Sequence, residues 1–306
     1  MVANSWRRFN RLRRQSRIDL SFQISQLTSN CLITPFVENI EPGREIGFDV
    51  LITCSKQHAR FLEMNIQNLT RLYGEKTKIQ VIHAKDLNLG SLRGIRNENI
   101  SFLSEDLILG KLERRIPAIT RYNPDRQNWL RQQLIKTFYV HKSKKPILII
   151  DVDTFLCRAI NFLANRKSLL LVGSKNHSHY HVPYSEHIAK FLGTTTLPFN
   201  FVHHVQIQVP ERVREIYSDD IESGLNKWLA LGSKFREFSA VSEFQTYGEF
   251  MLMNHPEEIA LFDHNHHLEK LSNCIEKKKE LQYVRENIEL KLKQFQVTES
   301  HLVTFL

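Results

Sequence analysis

Apolar residues along this chain gather in short unbroken runs, and between the runs they recur in three-and-four steps. That alternation predicts buried strands interleaved with amphipathic helices. The first run is Phe48-Asp49-Val50-Leu51-Ile52-Thr53. Phe61, Met64, Ile66, Leu69 and Leu72 then follow at helical spacing up to Gly74, and Lys78-Ile79-Gln80-Val81-Ile82-His83 reads as the second strand. A strand–helix–strand order predicts a parallel pair with a right-handed crossover. Ile100-Ser101-Phe102-Leu103 is a weaker strand, and Asp106 to Ile116 reads as helical. Trp129 to Tyr139 is a helix with Trp129, Leu130, Leu134 and Phe138 for its buried face. Beyond it, Pro146 opens the run Ile147-Leu148-Ile149-Ile150, which ends in Asp151-Val152-Asp153-Thr154. Ser168 to Gly173 is another buried strand, Asn176 to His187 a histidine-rich loop, and Phe199 to Val209 extended. Val213 to Leu231 is helical in part, and Ser242 opens a further helix. From Leu268 to Phe295 the pattern becomes one long charged helix carrying Leu271, Ile275, Leu281, Val284, Ile288 and Leu292.

These elements predict an α/β, Rossmann-like fold with a mostly parallel central sheet and a long C-terminal helix. Three segments result: a basic tail and lead-in over 1–45, an α/β body over 46–265, and a helical extension over 266–306. The chain's 306 residues suffice for a sizeable core. The turn after the first strand, Thr53-Cys54-Ser55-Lys56, has neither G-x-G-x-x-G nor a Walker lysine loop, which argues against dinucleotide and P-loop enzymes.

Charge and cysteines add the surroundings. Arg7, Arg8, Arg11, Arg13, Arg14 and Arg17 stand against Asp19 alone in the first 20 residues, so more than half of the net charge of +9 is terminal. No nucleic-acid groove is expected through the body. Trp6, Phe9 and Leu12 recur among the arginines, which suits either a frayed terminus or a peripheral contact with anionic lipid. Cys31, Cys54, Cys157 and Cys274 show no C-x-x-C spacing and read as small reduced thiols. With no apolar run of about 18 residues, a cytoplasmic protein is expected.

The candidate chemistry centres on Asp151 and Asp153. Residues two apart at the end of a strand point to the same side, into the space where open α/β sheets bind ligands. Two carboxylates there suit a hard divalent cation, Mn²⁺ or Mg²⁺, which in turn holds a diphosphate. The plainer alternative is an acidic turn capping the next element. Gln133 and Lys136, on the preceding helix, are candidates to meet a nucleotide, with Lys136 beside its diphosphate. Ser242-Glu243-Phe244-Gln245 is an S-x-x-Q capping box with Glu243 in the first helical turn. That explains the segment without chemistry; the functional alternative makes Glu243 a general base or a ligand of an acceptor hydroxyl. His204 and His266 are candidates for a further metal ligand.

Taken together, Phe48 to Lys56, Trp129-x-x-x-Gln133-x-x-Lys136, Ile150 to Thr154, Phe201-Val202-His203-His204 and Ser242 to Gly248 resemble a bacterial group of GT-A-like glycosyltransferases first classed as a domain of unknown function. The resemblance covers residues 46–265. It implies a GT-A catalytic domain, a UDP- or GDP-sugar donor, a glycan or lipid-linked acceptor and dependence on a divalent metal. It also implies that Thr53 and Lys56 lie near the nucleotide; Asp151, read from the acidic pair itself, is a candidate to contact the ribose or to bind the metal through water. Two rivals remain. A haloacid-dehalogenase-like phosphatase would use Asp151 as nucleophile, yet Phe155 stands where that pattern wants threonine. A non-catalytic scaffold would dimerise through the C-terminal helix.

Overall fold

Strands β1 (Asp49–Cys54) and β4 (Ile147–Asp151) lie side by side, parallel, at the heart of the protein. Val50, Leu51 and Ile52 of one, and Leu148, Ile149 and Ile150 of the other, have no exposed surface. Continuous apolar runs such as these are what a strand covered on both faces requires. The computed structural model describes residues 46–87, 95, 97–116, 126–156, 159–174, 182–194, 199–201, 205–232, 241–263, 268–269 and 302–305.

From β1 the chain passes through a 3₁₀ turn, Lys56–Phe61, into α1 (Leu62–Tyr73) and returns as β2 (Ile79–His83), parallel to β1. Gly74 ends α1 with φ of 88°, a conformation that glycine adopts without a Cβ penalty. β3 (Ile100–Ser104) forms the parallel edge. The helical stretch expected over 106–116 divides into α2 (Asp106–Leu109) and a 3₁₀ segment, Gly110–Arg115. α3 (Gln127–Lys142) then leads into β4. The turn Val152–Asp153 connects β4 to β5 (Thr154–Leu156), followed by β6 (Leu163–Ala164) and β7 (Lys167–Ser174).

α4 (Val182–Leu192) occupies the second half of the expected histidine-rich loop. Ser185, Ile188 and Ala189 are buried at helical spacing, and His187 is buried with them; polar members on the inner face hid the periodicity. β8 (Phe199–Asn200) and β9 (Val205–Gln208) make up the extended region. The next helical stretch is two helices, α5 (Pro210–Tyr217) and α6 (Ile221–Gly232), broken where Ser218 takes φ of 69°. They meet so closely that a Cβ on Gly224 would collide with the Tyr217 carbonyl. α7 (Glu243–Asn254) and a 3₁₀ turn, Pro256–Glu258, lead to β10 (Ile259–Asp263).

The main sheet has the order β3-β2-β1-β4-β9, parallel except for β9. A second sheet runs β10-β7-β6, with β8 pairing β7. In a third, β12 (Leu302–Phe305) pairs antiparallel with β5 and parallel with β11 (Leu268–Glu269). The helix expected to begin at Leu268 therefore begins as a strand instead, because a partner strand from the chain's end supplies its backbone hydrogen bonds. The rest of that expected helix, residues 270–295, and the basic tail over 1–45 lie outside the described residues, as does the dimer contact expected of the helix. No helix among the described residues is long and apolar enough to cross a membrane.

Candidate active site at the carboxyl end of the central sheet

Following the chain from β1, the sheet grows to β2 and β3 on one side and to β4 on the other. The strand order thus reverses between β1 and β4, the point at which open α/β sheets form a crevice beyond their carboxyl ends. Thr53 and Asp151 are register partners across this gap. Asp151, the last residue of β4, is partly exposed, with 21 % of its side-chain surface accessible. Asp153 follows in the turn and is largely buried. Thr53 is buried, and its hydroxyl has no hydrogen-bond partner among the described residues. Lys56 opens the 3₁₀ turn after β1 and is exposed.

The acidic turn is held by α1. Asn65, fully buried, sends its amide nitrogen to the carbonyls of Val152 at 2.9 Å, Thr154 at 2.8 Å and Asp151 at 3.3 Å. One turn further on, Asn68 donates to the Leu156 carbonyl at 3.0 Å, and the Tyr73 hydroxyl donates to the Ile160 carbonyl at 2.9 Å. Phe61 and Phe155 pack edge to face at 6.4 Å beneath them. These polar groups were not among the expected site residues. Their signal is visible in retrospect: Asn65, Asn68 and Leu72 share a face with Leu62 and Leu69, which puts two asparagines on a helix's buried side, where each needs a partner.

From the other side comes α3. Gln133, Lys136, Thr137 and Val140 fall on one stripe and are all buried. The Lys136 ammonium lies 2.7 Å from Asp151 Oδ1 and 3.1 Å from Glu243 Oε1, and 4.6 Å from the centre of the Phe244 ring. Burial alone would lower the lysine's pKa; the two carboxylates override it and hold the ammonium charged, above the usual lysine range. For Glu243 burial pushes the pKa up, Lys136 pulls it back down, and the result stays above the ordinary carboxylate value. The Tyr217 phenol is pushed up as well, by burial and by the Glu243 charge.

The geometry places three of the expected site residues, Lys136, Glu243 and Gln133, in buried positions. Lys136 was expected to face a diphosphate, but only 3 % of its side chain is exposed and its ammonium faces two carboxylates. Glu243 was expected at the mouth, facing an acceptor hydroxyl; its side chain is also 3 % exposed and turned toward Lys136. Gln133 was expected to meet the nucleotide; it is buried, and its carbonyl oxygen accepts from the Glu243 backbone N–H at 3.1 Å. That bond satisfies one of the donors that a helix start leaves unpaired.

The helix start itself forms as the capping pattern implies. Ser242 Oγ accepts from the Gln245 N–H at 3.2 Å. The Gln245 side chain, however, does not return to residue 242. Its oxygen accepts from the Phe201 N–H at 2.8 Å and its nitrogen donates to Glu249 at 2.8 Å. Gly248 completes this clamp, since a Cβ there would run into the Phe201 ring. Phe201 and the Ser242–Gly248 segment are thus one packed unit. His204 and His266 lie outside the described residues.

Carboxylate oxygens are the donors a hard divalent cation prefers. Asp151 at the end of β4 and Asp153 two residues on supply such oxygens, and Asp151 reaches the crevice while paired with Lys136. The residues present therefore fit Mn²⁺ or Mg²⁺. The group of three such side chains whose possible ligand atoms lie within 4.8 Å of one another among the described residues is a different one, His255, Glu257 and Glu258. There Arg212 already holds Glu258 with two bonds of 2.9 and 2.6 Å, and Glu215 pairs with His255 at 2.8 Å, which leaves a surface ion-pair network.

Similarity to known proteins appears at the level of structure. The mannosyltransferase Ktr4p from S. cerevisiae superposes with a TM-score of 0.51 at 11 % identity, over 80 % of this chain and 78 % of Ktr4p. The galactosyltransferase LgtC, solved with donor and acceptor sugar analogues, matches at a TM-score of 0.48 and 12 % identity, over 84 % and 87 % of the two chains. Core-mannan synthase A from Aspergillus fumigatus, solved in a Mn/GDP form, matches at 0.42 and 10 % identity, over 72 % and 74 %. No protein-family model matches the sequence, and no curated protein sequence is similar to it. The chain has the GT-A fold, a mixed α/β architecture with a mostly parallel central sheet.

Proposed function

We propose that this protein is a metal-dependent glycosyltransferase that moves a sugar from a nucleoside-diphosphate donor to a glycan or lipid-linked acceptor. The observation that carries the reading is the position of the acidic pair. Asp151 ends β4 at the point where the strand order reverses, opposite Thr53, with Asp153 two residues on. In this reading Asp151 and Asp153 hold Mn²⁺ or Mg²⁺. When bound, the cation supplies charge neutralisation to the departing nucleoside diphosphate. Thr53 and Lys56, on the first strand and the turn after it, line the donor side. Asn65 keeps the acidic turn in shape, and Lys136 fixes the orientation of the Asp151 carboxylate.

The reading has support beyond the fold. The N-terminal turn of α7 is anchored to α3 through Gln133 and Lys136, and Lys136 in turn contacts Asp151, so direct contacts link the acidic pair to the start of α7. The test is calorimetric titration with UDP and with GDP, in the presence and absence of Mn²⁺. The wild type is expected to bind one of them only with the metal, and the Asp151→Ala/Asp153→Ala double variant to lose that binding while remaining folded. Metal-independent binding, or undiminished binding by the double variant, would refute the assignment.

A further inference from the structure

Lys136 stands between an acidic group that reaches the crevice and one that does not. Asp151, partly exposed, is on one side at 2.7 Å; Glu243, almost fully buried, is on the other at 3.1 Å. Glu243 is fixed from several directions. Its backbone N–H is held by Gln133, its neighbour Ser242 caps the helix, and its own carboxylate faces the ammonium. A general base must reach within hydrogen-bond distance of the acceptor proton. A carboxylate with 3 % exposure facing a buried lysine is poorly placed for that.

Charge balance gives Glu243 a different task. A buried ammonium must be matched by negative charge close by. Were Asp151 the sole carboxylate beside Lys136, more of its charge would be offset by the lysine, and the acidic pair would attract a divalent cation less strongly. With Glu243 behind the lysine, the ammonium is matched from within the protein.

We infer that Glu243 is a positioning residue which neutralises Lys136 from behind, so that Asp151 and Asp153 together keep their affinity for a divalent cation. The inference rests on the metal-dependent reading above, and it predicts an order of affinities. Glu243→Gln removes one negative charge and leaves the lysine to Asp151. Lys136→Met/Glu243→Gln removes one charge of each sign and restores the original balance. Exchanging a whole buried ion pair for similar-sized neutral groups is also the replacement that proteins tolerate best.

The experiment titrates Mn²⁺ alone into the full chain, following free Mn²⁺ by electron paramagnetic resonance, and repeats the titration with UDP and with GDP. Glu243→Gln is expected to bind Mn²⁺ roughly tenfold more weakly than wild type, and the paired variant to return to within about threefold of it. A purely structural role for Glu243 predicts no such recovery. Wild-type affinity in Glu243→Gln, or a paired variant as weak as the single one, overturns the inference. Should the paired variant fail to fold, Glu243→Asp decides: it keeps the charge and is expected to bind within about threefold of wild type. Weakening equal to that of Glu243→Gln overturns the inference there too. If the wild type takes up no Mn²⁺ with or without either nucleotide, the metal-dependent reading itself falls, and the role given to Glu243 falls with it.

Discussion

Replacing Asn65 by leucine removes the amide that holds the acidic turn while keeping a side chain of similar size. Two N–H donors serve three carbonyls, at 2.8, 2.9 and 3.3 Å, and the two shorter bonds carry most of the interaction. A buried carbonyl left without a donor costs about 1–3 kcal/mol. Part of this is offset, because the Asn65 side-chain oxygen is buried without a hydrogen-bond partner among the described residues, and leucine removes it. The balance is a loss of about 2–3 kcal/mol. Asn65→Asp should lose more, since it turns an acceptor oxygen toward three carbonyl oxygens in a site with no exposed surface. Urea denaturation followed by tryptophan fluorescence measures both losses as shifts in midpoint at constant slope. Mn²⁺-dependent nucleotide binding, measured well below the unfolding midpoint, should fall in the leucine variant even though no ligand atom has been touched. A leucine variant within about 0.5 kcal/mol of wild type, or an aspartate variant as stable as the leucine one, would show that the turn does not depend on this amide.

Gly248→Ala is expected to destabilise the protein by about 1–3 kcal/mol through overpacking against the Phe201 ring, and Phe201→Leu in the same chain to recover part of the loss; independent, additive effects in thermal unfolding would rule out the contact. His187, whose Nε2 lies 2.8 Å from the Trp228 carbonyl, has its pKa pushed down by burial from 6.5 to about 4. Between those values the unfolded chain binds the proton and the folded one does not, so this contribution is complete above pH 6.5 and is lost as pH falls toward 4, a change of about 3 kcal/mol. His187→Gln should flatten that part of the stability–pH curve, and parallel curves for variant and wild type would contradict a buried neutral imidazole.

The central strands were legible in the sequence because their physics is local. A run such as Ile147 to Ile150 has no polar residue to place and is buried on both faces, so it announces itself. α4 was harder to see because its inner face includes Ser185 and His187, which are buried and read as loop residues when judged by polarity. The division of α5 from α6 depends on Ser218 adopting a left-handed conformation, which no property of serine demands. The strand at Leu268 was misread for a different reason. Its partner, β12, begins more than 30 residues later, and a two-residue strand leaves no periodicity of its own.

The same distinction runs through the site. Asp151 and Asp153 stood out because an acidic pair after four apolar residues is unusual within a window of a few positions. Asn65 did not, because its meaning lies 86 to 89 residues away, in carbonyls that every residue type has. Lys136 and Glu243 were each singled out in the sequence, but nothing there signals that they face each other. A lysine and a glutamate recognised separately suggest a phosphate ligand and a base, since those are the roles each plays when solvent or substrate is its neighbour. Brought within 3.1 Å of each other and away from water, they become each other's first requirement. A buried charge must be matched before it can serve any ligand, which is why residue type and helical face sufficed to locate these two side chains but not to assign their work.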